Sequence, residues 1–307
     1  MESSVRGVFV DANDSLAEIF ERQREAGDPE MSIHQDPNIT PDEWPVILGG
    51  AEIGVVDHTA LPTDVARQCT GLKHVVFLGT GARSYMNPEE LAALGIEVHL
   101  IKGYGDTAVA EAAIALMWAS ARVITWMDRE MRKGNWLRED AMQLTGKTLG
   151  LIGFGGIAAE VARIATGSGM RVIAWNRTPK SFPGVEFVTL EKLLADSHVV
   201  SLHLLLNDDT RGFLSRDKIA AMRPGVILVN TARAAMVDEA AMIDALKSGH
   251  IRHAGLDVFN IEPLPADHPL TKLSNVTLSA HSAFRTPEAS ENLIHAAWEH
   301  CRRIAKQ

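Results

Sequence analysis

The chain has 307 residues, 46% hydrophobic and 22% charged, which leaves room for two cores and excludes an extended disordered polymer. A formal net charge of −9 with no basic run argues against a nucleic-acid partner. Two cysteines, Cys69 and Cys301, cannot build a disulfide framework and suit a reducing compartment.

The opening "MESSVRGVFVDAND" lacks an apolar core of signal-peptide length, so a cytoplasmic location is expected. Within it "VRGVFVDA" reads as a strand, and "SLAEIFERQREAG" as an amphipathic helix ending at Gly27. "KHVVFLGTG" reads as a strand running into a glycine turn, and "GIEVHLIKG" as a further strand. The stretch "AVAEAAIALMWASARVITWM" is membrane-like in hydropathy but carries Glu111 and Arg122. Both charges would be costly in lipid, so the expectation is one long helix from about Thr107 to Gly134, buried at a domain or subunit contact.

A second unit follows with more regular punctuation. "TLGLIG", "RVIAW", "HVVSLHLL", "GVILVNTA", "HAGLDVF" and "NVTLSA" are continuous apolar runs of strand length. Such runs fit parallel strands buried on both faces, so a doubly wound α/β sheet is predicted. A last helix is expected over "PEASENLIHAAWEHCRRIAK", packing back on the first domain. No solenoid-length repeat or low-complexity linker is present.

The first chemistry lies in "TLGLIGFGGIA", where a strand-like run breaks into Gly153-x-Gly155-x-x-Ala158 and a helical pattern begins. Gly153 would permit the tight turn, and Gly155 would let a pyrophosphate approach the backbone. Ala158 would supply the small side chain that helix–strand packing needs. The helix N-terminus offers unpaired N–H groups to phosphates. A bare strand-to-helix turn is the competing reading, and the strand–loop–helix context favours a dinucleotide cradle. At the end of the next strand "AWNRTP" places Asn176 and Arg177 where an acidic residue would hold ribose hydroxyls. An arginine can pair with a 2′-phosphate that an aspartate would repel, so NADPH is favoured over NADH.

Arg233, Glu262 and His281 each follow a predicted strand of the second unit, at the sheet edge where open α/β folds bind ligands. Singly, each could be an exposed charge or a structural histidine. Together they suit hydride transfer to a 2-keto acid. Arg233 would clamp the substrate and neutralise the developing oxyanion, His281 would exchange the proton, and Glu262 would orient the ring. No HExxH pair or paired cysteine–histidine spacing appears, so no metal is expected from local pattern. "MDREMRKGNW" reads as a solvated helix end.

The order of these motifs resembles the D-isomer-specific 2-hydroxyacid dehydrogenases over nearly the whole chain. "NTARAAMVDEAAMIDALKSGHIRHAGLDVFNIEPLP" is similar to that family's most diagnostic segment, and "LSAHSAF" to its catalytic-histidine segment. The resemblance implies catalytic roles for Arg233, Glu262 and His281. It also implies a Rossmann nucleotide domain over 104–284, and a smaller flavodoxin-like α/β substrate domain over 1–103 and 285–307. Asp257, in "LDVF", matches an aspartate near the nicotinamide carboxamide. Thr80 and Gly81, in "FLGTGARSY", match a loop that binds the substrate carboxylate. The cofactor contacts expected are Gly153, Gly155, Gly156, Ile157, Asn176, Arg177, Thr231 and Asp257, with NAD or NADP as cofactor. A homodimer through the Thr107–Gly134 region is implied as well.

Departures from the family pattern are Ala280 and Leu205, each where a proline is usual, and Arg83, where an aspartate is frequent. The substrate is expected to be a small 2-keto or D-2-hydroxy acid of the glyoxylate or hydroxypyruvate kind. A phosphoglycerate dehydrogenase-like enzyme and a dinucleotide-sensing, corepressor-like binding protein are the alternatives. Turnover on 2-keto acids separates the last from the others.

Overall fold

The computed structural model describes residues 5–306. In chain order its first elements are β1 (Arg6–Phe9), α1 (Asp14–Arg22), β2 (Glu30–Ile33), α2 (Trp44–Leu48) and β3 (Ile53–Val56). Then come α3 (Thr63–Ala66), β4 (His74–Phe77), α4 (Pro88–Ala93), β5 (Glu97–Leu100), α5 (Asp106–Arg122) and α6 (Ile124–Arg132). β6 (Thr148–Ile152), α7 (Gly156–Gly167), β7 (Arg171–Trp175), β8 (Val185–Phe187), α8 (Leu190–Asp196) and β9 (Val199–Leu202) follow. The chain closes with α9 (Arg216–Ala220), β10 (Val226–Asn230), α10 (Glu239–Ser248), β11 (Ile251–Leu256), β12 (Val276–Leu278) and α11 (Pro287–Ile304). These elements form two compact units, one running to Gly105 and resuming at Thr286, the other spanning Asp106–Arg285.

The first unit is a five-stranded parallel sheet in the order β2-β1-β3-β4-β5, the flavodoxin-like arrangement. Alternate strand residues feed opposite cores. Val75 and Phe77 join Trp44, Val65 and Leu91 of α2–α4 on one face. Val76 and Leu78 join Phe20 of α1 and Trp298 of α11 on the other. Trp298 is fully buried, stacks on Phe20 at 4.3 Å and donates its indole N–H to the Phe20 carbonyl at 3.0 Å. That bond satisfies the one polar atom whose burial would otherwise be costly.

The second unit is a seven-stranded parallel sheet ordered β12-β11-β10-β9-β6-β7-β8. Its central strands are buried along their whole length, as continuous apolar runs require. On β10, Val226 and Leu228 pack with Leu246 of α10, whereas Ile227 and Val229 pack with Ile114 of α5 and Val161 of α7. The sheet is therefore covered on both faces, as the apolar runs led us to expect. Gly255 sets the depth of α5. A Cβ there would lie 2.9 Å from the Leu116 Cβ, so only glycine lets the helix sit this close to β11.

The membrane-like stretch differs from expectation in one way. It is not one helix but two, bent by 65° where Val123 takes a left-handed conformation (φ 54°). Its apolar first half is buried against the sheet and α7 of its own unit. No single helix among the described residues is long and apolar enough to cross a membrane. The strands β2 and β8, at sheet edges, and β3 were not expected. β2 and β8 are half-exposed, so their sequences carry no run of buried apolar residues.

At the carboxyl edge of the first sheet, Asp11 is fully buried and its carboxylate accepts the N–H groups of Asp57, His58 and Thr59. The Asp57 carboxylate, 3.1 Å from Nδ1, holds the His58 imidazole up at about 9, against the opposing effect of partial burial. Asp11 at 3.7 Å and the Pro37 carbonyl, accepting from Nε2 at 2.7 Å, favour the charged ring too. A raised folded-state value adds stability that is fully present below about pH 6.5 and lost as pH rises through about 9. Urea unfolding of the wild type should therefore show a decline over that window that His58→Gln lacks. Parallel pH profiles would show that the ring contributes nothing there.

Candidate active site

All strands of the second sheet are parallel, so the loops after β6, β7, β9, β10, β11 and β12 emerge at one edge. The loop after β6 turns at Gly153, whose φ of +87° few L side chains adopt. A Cβ there would also stand 2.6 Å from the His203 carbonyl oxygen. Gly155 is exposed and a Cβ on it would meet nothing within 4 Å, so its backbone faces open space. Gly156 opens α7, Ile157 is half-buried in its first turn, and Ala158 is fully buried under it. The small residue at the third fingerprint position thus packs into the core, as its role requires.

Asn176 and Lys180 brace this loop, a function that spacing alone did not reveal. Asn176 Oδ1 accepts the Phe154 N–H at 3.0 Å, and Lys180 Nζ donates to the Phe154 carbonyl at 2.6 Å. Arg177 is 77% exposed, with Nη1 3.4 Å from the Asp209 carboxylate. Asp106, the first residue of α5, brings Oδ2 so near Gly156 that a Cβ there would be 1.8 Å away. Burial, with nearby Glu160, pushes the Asp106 carboxyl above the usual carboxylate range. No sequence pattern pointed to this acid at the start of α7.

The three polar residues sit beyond the adjacent strands β10, β11 and β12. Asn230, itself buried, brackets the first of them. Its Oδ1 accepts the Ala232 N–H at 2.9 Å and its Nδ2 donates to the Arg233 carbonyl at 3.1 Å. The Arg233 Nη1 donates to the Ala232 carbonyl at 2.6 Å, which anchors one corner of the guanidinium. Thr231 is buried, and its hydroxyl has no hydrogen-bond partner among the described residues.

Asp257 organises the other two. It is 1% exposed, and its carboxylate accepts from Ser279 Oγ at 2.5 Å and from the N–H groups of Ser282 and Ala283 at 3.0 Å each. Its carbonyl accepts the His281 N–H at 2.8 Å. His281, between these bonds, takes a left-handed backbone (φ 49°). Its Nδ1 lies 2.7 Å from Glu262 Oε2, and the other carboxylate oxygen accepts the Phe259 N–H at 2.8 Å. With Nδ1–H donated to the carboxylate, Nε2 is the nitrogen left for chemistry. The side chains of His281 and Glu262 are each a little over one-third exposed, so a ligand can reach them. A positioned imidazole, a guanidinium and a glycine loop at one sheet edge can bind an anionic carbonyl compound and exchange a proton with it.

Thr80 and Gly81 belong to the first unit, in the loop after β4, where Thr80 is exposed and Gly81 leads into a 3-10 turn over Ala82–Ser84. Arg83 is ion-paired with Glu89. Ala280 and Leu205 are both exposed, so no buried contact is lost with the missing prolines.

Residues 114–283 match the family described as D-isomer specific 2-hydroxyacid dehydrogenase, NAD binding domain. A hydroxypyruvate reductase of Thermotoga maritima is 37% identical over 259 residues, covering 82% of this chain and 84% of that protein. A glyoxylate reductase of Korarchaeum cryptofilum is 39% identical over 221 residues, covering 69% and 67% respectively. Among solved structures, an acyclic imino acid reductase in complex with NADPH and D-arginine aligns with a TM-score of 0.83 at 28% identity. That alignment covers 95% of this chain and 94% of the other.

The Asp257 bonds give a local test. Asp257→Ala strands two backbone N–H groups, each costing about 1–3 kcal/mol if left buried and unpaired. Amide exchange of His281, Ser282 and Ala283 should quicken by at least about tenfold, a change of about 1.4 kcal/mol, while β6 and β10 stay protected. Unchanged exchange at those three amides would show that the loop is held by something else.

Proposed function

The chain belongs to the D-isomer-specific 2-hydroxyacid dehydrogenase family, and from that premise we propose that it reduces small 2-keto acids to D-2-hydroxy acids. Glyoxylate and hydroxypyruvate are the substrate class favoured, in line with the two reductases it resembles. The observation that carries the reading is the 2.7 Å bond from His281 Nδ1 to Glu262 at the same sheet edge as the glycine loop.

The residues present fit a nicotinamide dinucleotide. Gly153 makes the tight turn, Gly155 leaves the backbone bare, Gly156 and Ile157 open a helix N-terminus, and the buried Thr231 hydroxyl has no partner among the described residues. Asn176, Arg177 and Asp257 complete the proposed contact set. When bound, the reduced cofactor supplies the hydride that adds to the carbonyl carbon. Arg233 holds the substrate carboxylate and offsets the charge growing on the carbonyl oxygen. Nε2–H of His281 then delivers a proton to that oxygen, and Glu262 keeps the ring aimed throughout. In oxidation the same nitrogen takes the proton back. Thr80 and Gly81 are assigned as further substrate contacts on the strength of "FLGTGARSY".

A homodimer through the Thr107–Gly134 region is part of the same proposal. In and just after that region Ile124, Met131, Trp136 and Leu137 are 46–76% exposed, an apolar surface that a second copy would cover. A cytoplasmic location is supported by Cys69 and Cys301, both free and buried.

Absorbance assays of glyoxylate, hydroxypyruvate, pyruvate and bulkier 2-keto acids, each with NADH and with NADPH, test the activity. Turnover is expected on at least one of the two smallest hydroxylated or aldehydic acids. His281→Ala should lower kcat by about two to four orders of magnitude with dinucleotide affinity little changed. Cofactor binding without turnover on any acid would point to a binding protein instead, and near-native turnover in the variant would move the proton transfer elsewhere.

NADPH is proposed as the preferred cofactor, since Asn176 and Arg177 put no acid after β7, and a structural relative binds NADPH. Arg177 can leave its loose 3.4 Å pairing with Asp209 for a 2′-phosphate. A charge-assisted hydrogen bond of that kind is worth about tenfold to a hundredfold in affinity. Titration of wild type and Arg177→Ala with both reduced cofactors should show that preference collapse in the variant. A wild type that strongly prefers NADH would reverse the assignment.

A further inference from the structure

The first unit gathers three metal-ligating side chains: His74, Glu97 and His99. Their meeting follows from register. Parallel pairing sets His74 of β4 opposite Glu97 of β5, and the two-residue strand period puts His99 on the same face as Glu97. That face is the one toward α11, because Val76 and Ile101, in step with these residues, pack against its buried side. The set has no local metal-ligand spacing, since 22 residues separate His74 from Glu97 and a strand pairing joins them.

The geometry points to a divalent transition-metal site, with Zn²⁺ as the best-suited ion, formed by His74, Glu97 and His99. The donor atoms all lie within 4.8 Å of one another. His74 Nδ1 is 3.2 Å from His99 Nε2 and 3.8 Å from Glu97 Oε2. Ligand atoms around a tetrahedral zinc are about 3.4 Å apart, given metal–ligand bonds near 2.1 Å, so small side-chain rotations close the set. Two imidazoles and one carboxylate suit zinc better than calcium or magnesium, which favour all-oxygen shells.

The surroundings permit entry and do not fill the site with a competing cation. Glu97 is 65% exposed and His74 17%, whereas His99 is buried, so an ion can arrive from solvent and stop at the inner imidazole. The nearby Lys73 ammonium is paired with Glu52 at 2.7 Å. Arg303 is tied to His300 Nδ1 at 2.6 Å, and the His300 ring lies beside His99 with centroids 5.4 Å apart. Water fills the remaining position of a three-ligand site, or His300 does after a rotation. β5 is the edge strand of its sheet, bonded to β4 alone, so the ion would cross-link the edge to its neighbour. The role assigned is therefore a clamp on the fold, independent of hydride transfer.

Chelator-treated full-length protein titrated with Co²⁺ gives a direct reading, because a nitrogen-bound, low-coordinate cobalt absorbs in the visible. One equivalent should bind, be displaced by Zn²⁺, and Zn²⁺ should raise Tm. Twelve histidines make adventitious binding a real rival, so variants decide the location. Glu97→Gln, at an exposed position that leaves folding intact, and His74→Gln should each weaken binding by about 100-fold or more, since even outer-shell losses cost 10–100-fold. His295→Gln, on the exposed face of α11, should change nothing. Absence of a saturable one-equivalent site, or equal binding in Glu97→Gln and His74→Gln, would overturn the assignment.

Discussion

The buried Asp257 carboxylate is the interaction on which the candidate site depends. It has left water entirely, and every strong bond it makes goes to the segment after β12. A buried carboxylate without such partners would cost several kcal/mol, so the segment is drawn onto it. The pull fixes the backbone on both sides of His281 and sustains a left-handed conformation that a histidine adopts at some cost. Held this way, the ring meets Glu262, itself pinned by the Phe259 N–H. The placement of the His281 ring is thus set from a neighbouring strand end, by an aspartate whose carboxylate bonds the backbone around it.

The sheets supply the coarse placement. Parallel strands covered on both faces must be apolar throughout, which leaves polar chemistry to the loops at their ends. In the second unit that edge collects residues 153 to 281, far apart along the chain, within a few strand spacings of each other. Asn230 shows how a strand end converts to a loop. Being buried, it must satisfy its amide, and it does so by bending the next residues into the turn that presents Arg233.

Most of the central strands of the second sheet were legible because burial on both faces writes itself as unbroken apolar runs. The glycine loop was legible for a related reason, since a left-handed turn against a carbonyl admits only glycine. The placement of Arg233, Glu262 and His281 at one sheet edge could be read from their positions after predicted strands. Edge strands β2 and β8 were not legible, being half-solvated and short. The break at Val123 has no local signature, because a β-branched residue is among the least expected in a left-handed conformation. Asn230 and Asp257 act through what surrounds them, and their bonding partners are fixed only once the strands are paired.

Asp106 has a consequence for any anion at the start of α7. Its carboxylate crowds Gly156, and burial with nearby Glu160 brings it closer to neutrality. The helix terminus proposed to take a phosphate is thus approached by an acid of the chain's own, from the head of the neighbouring helix.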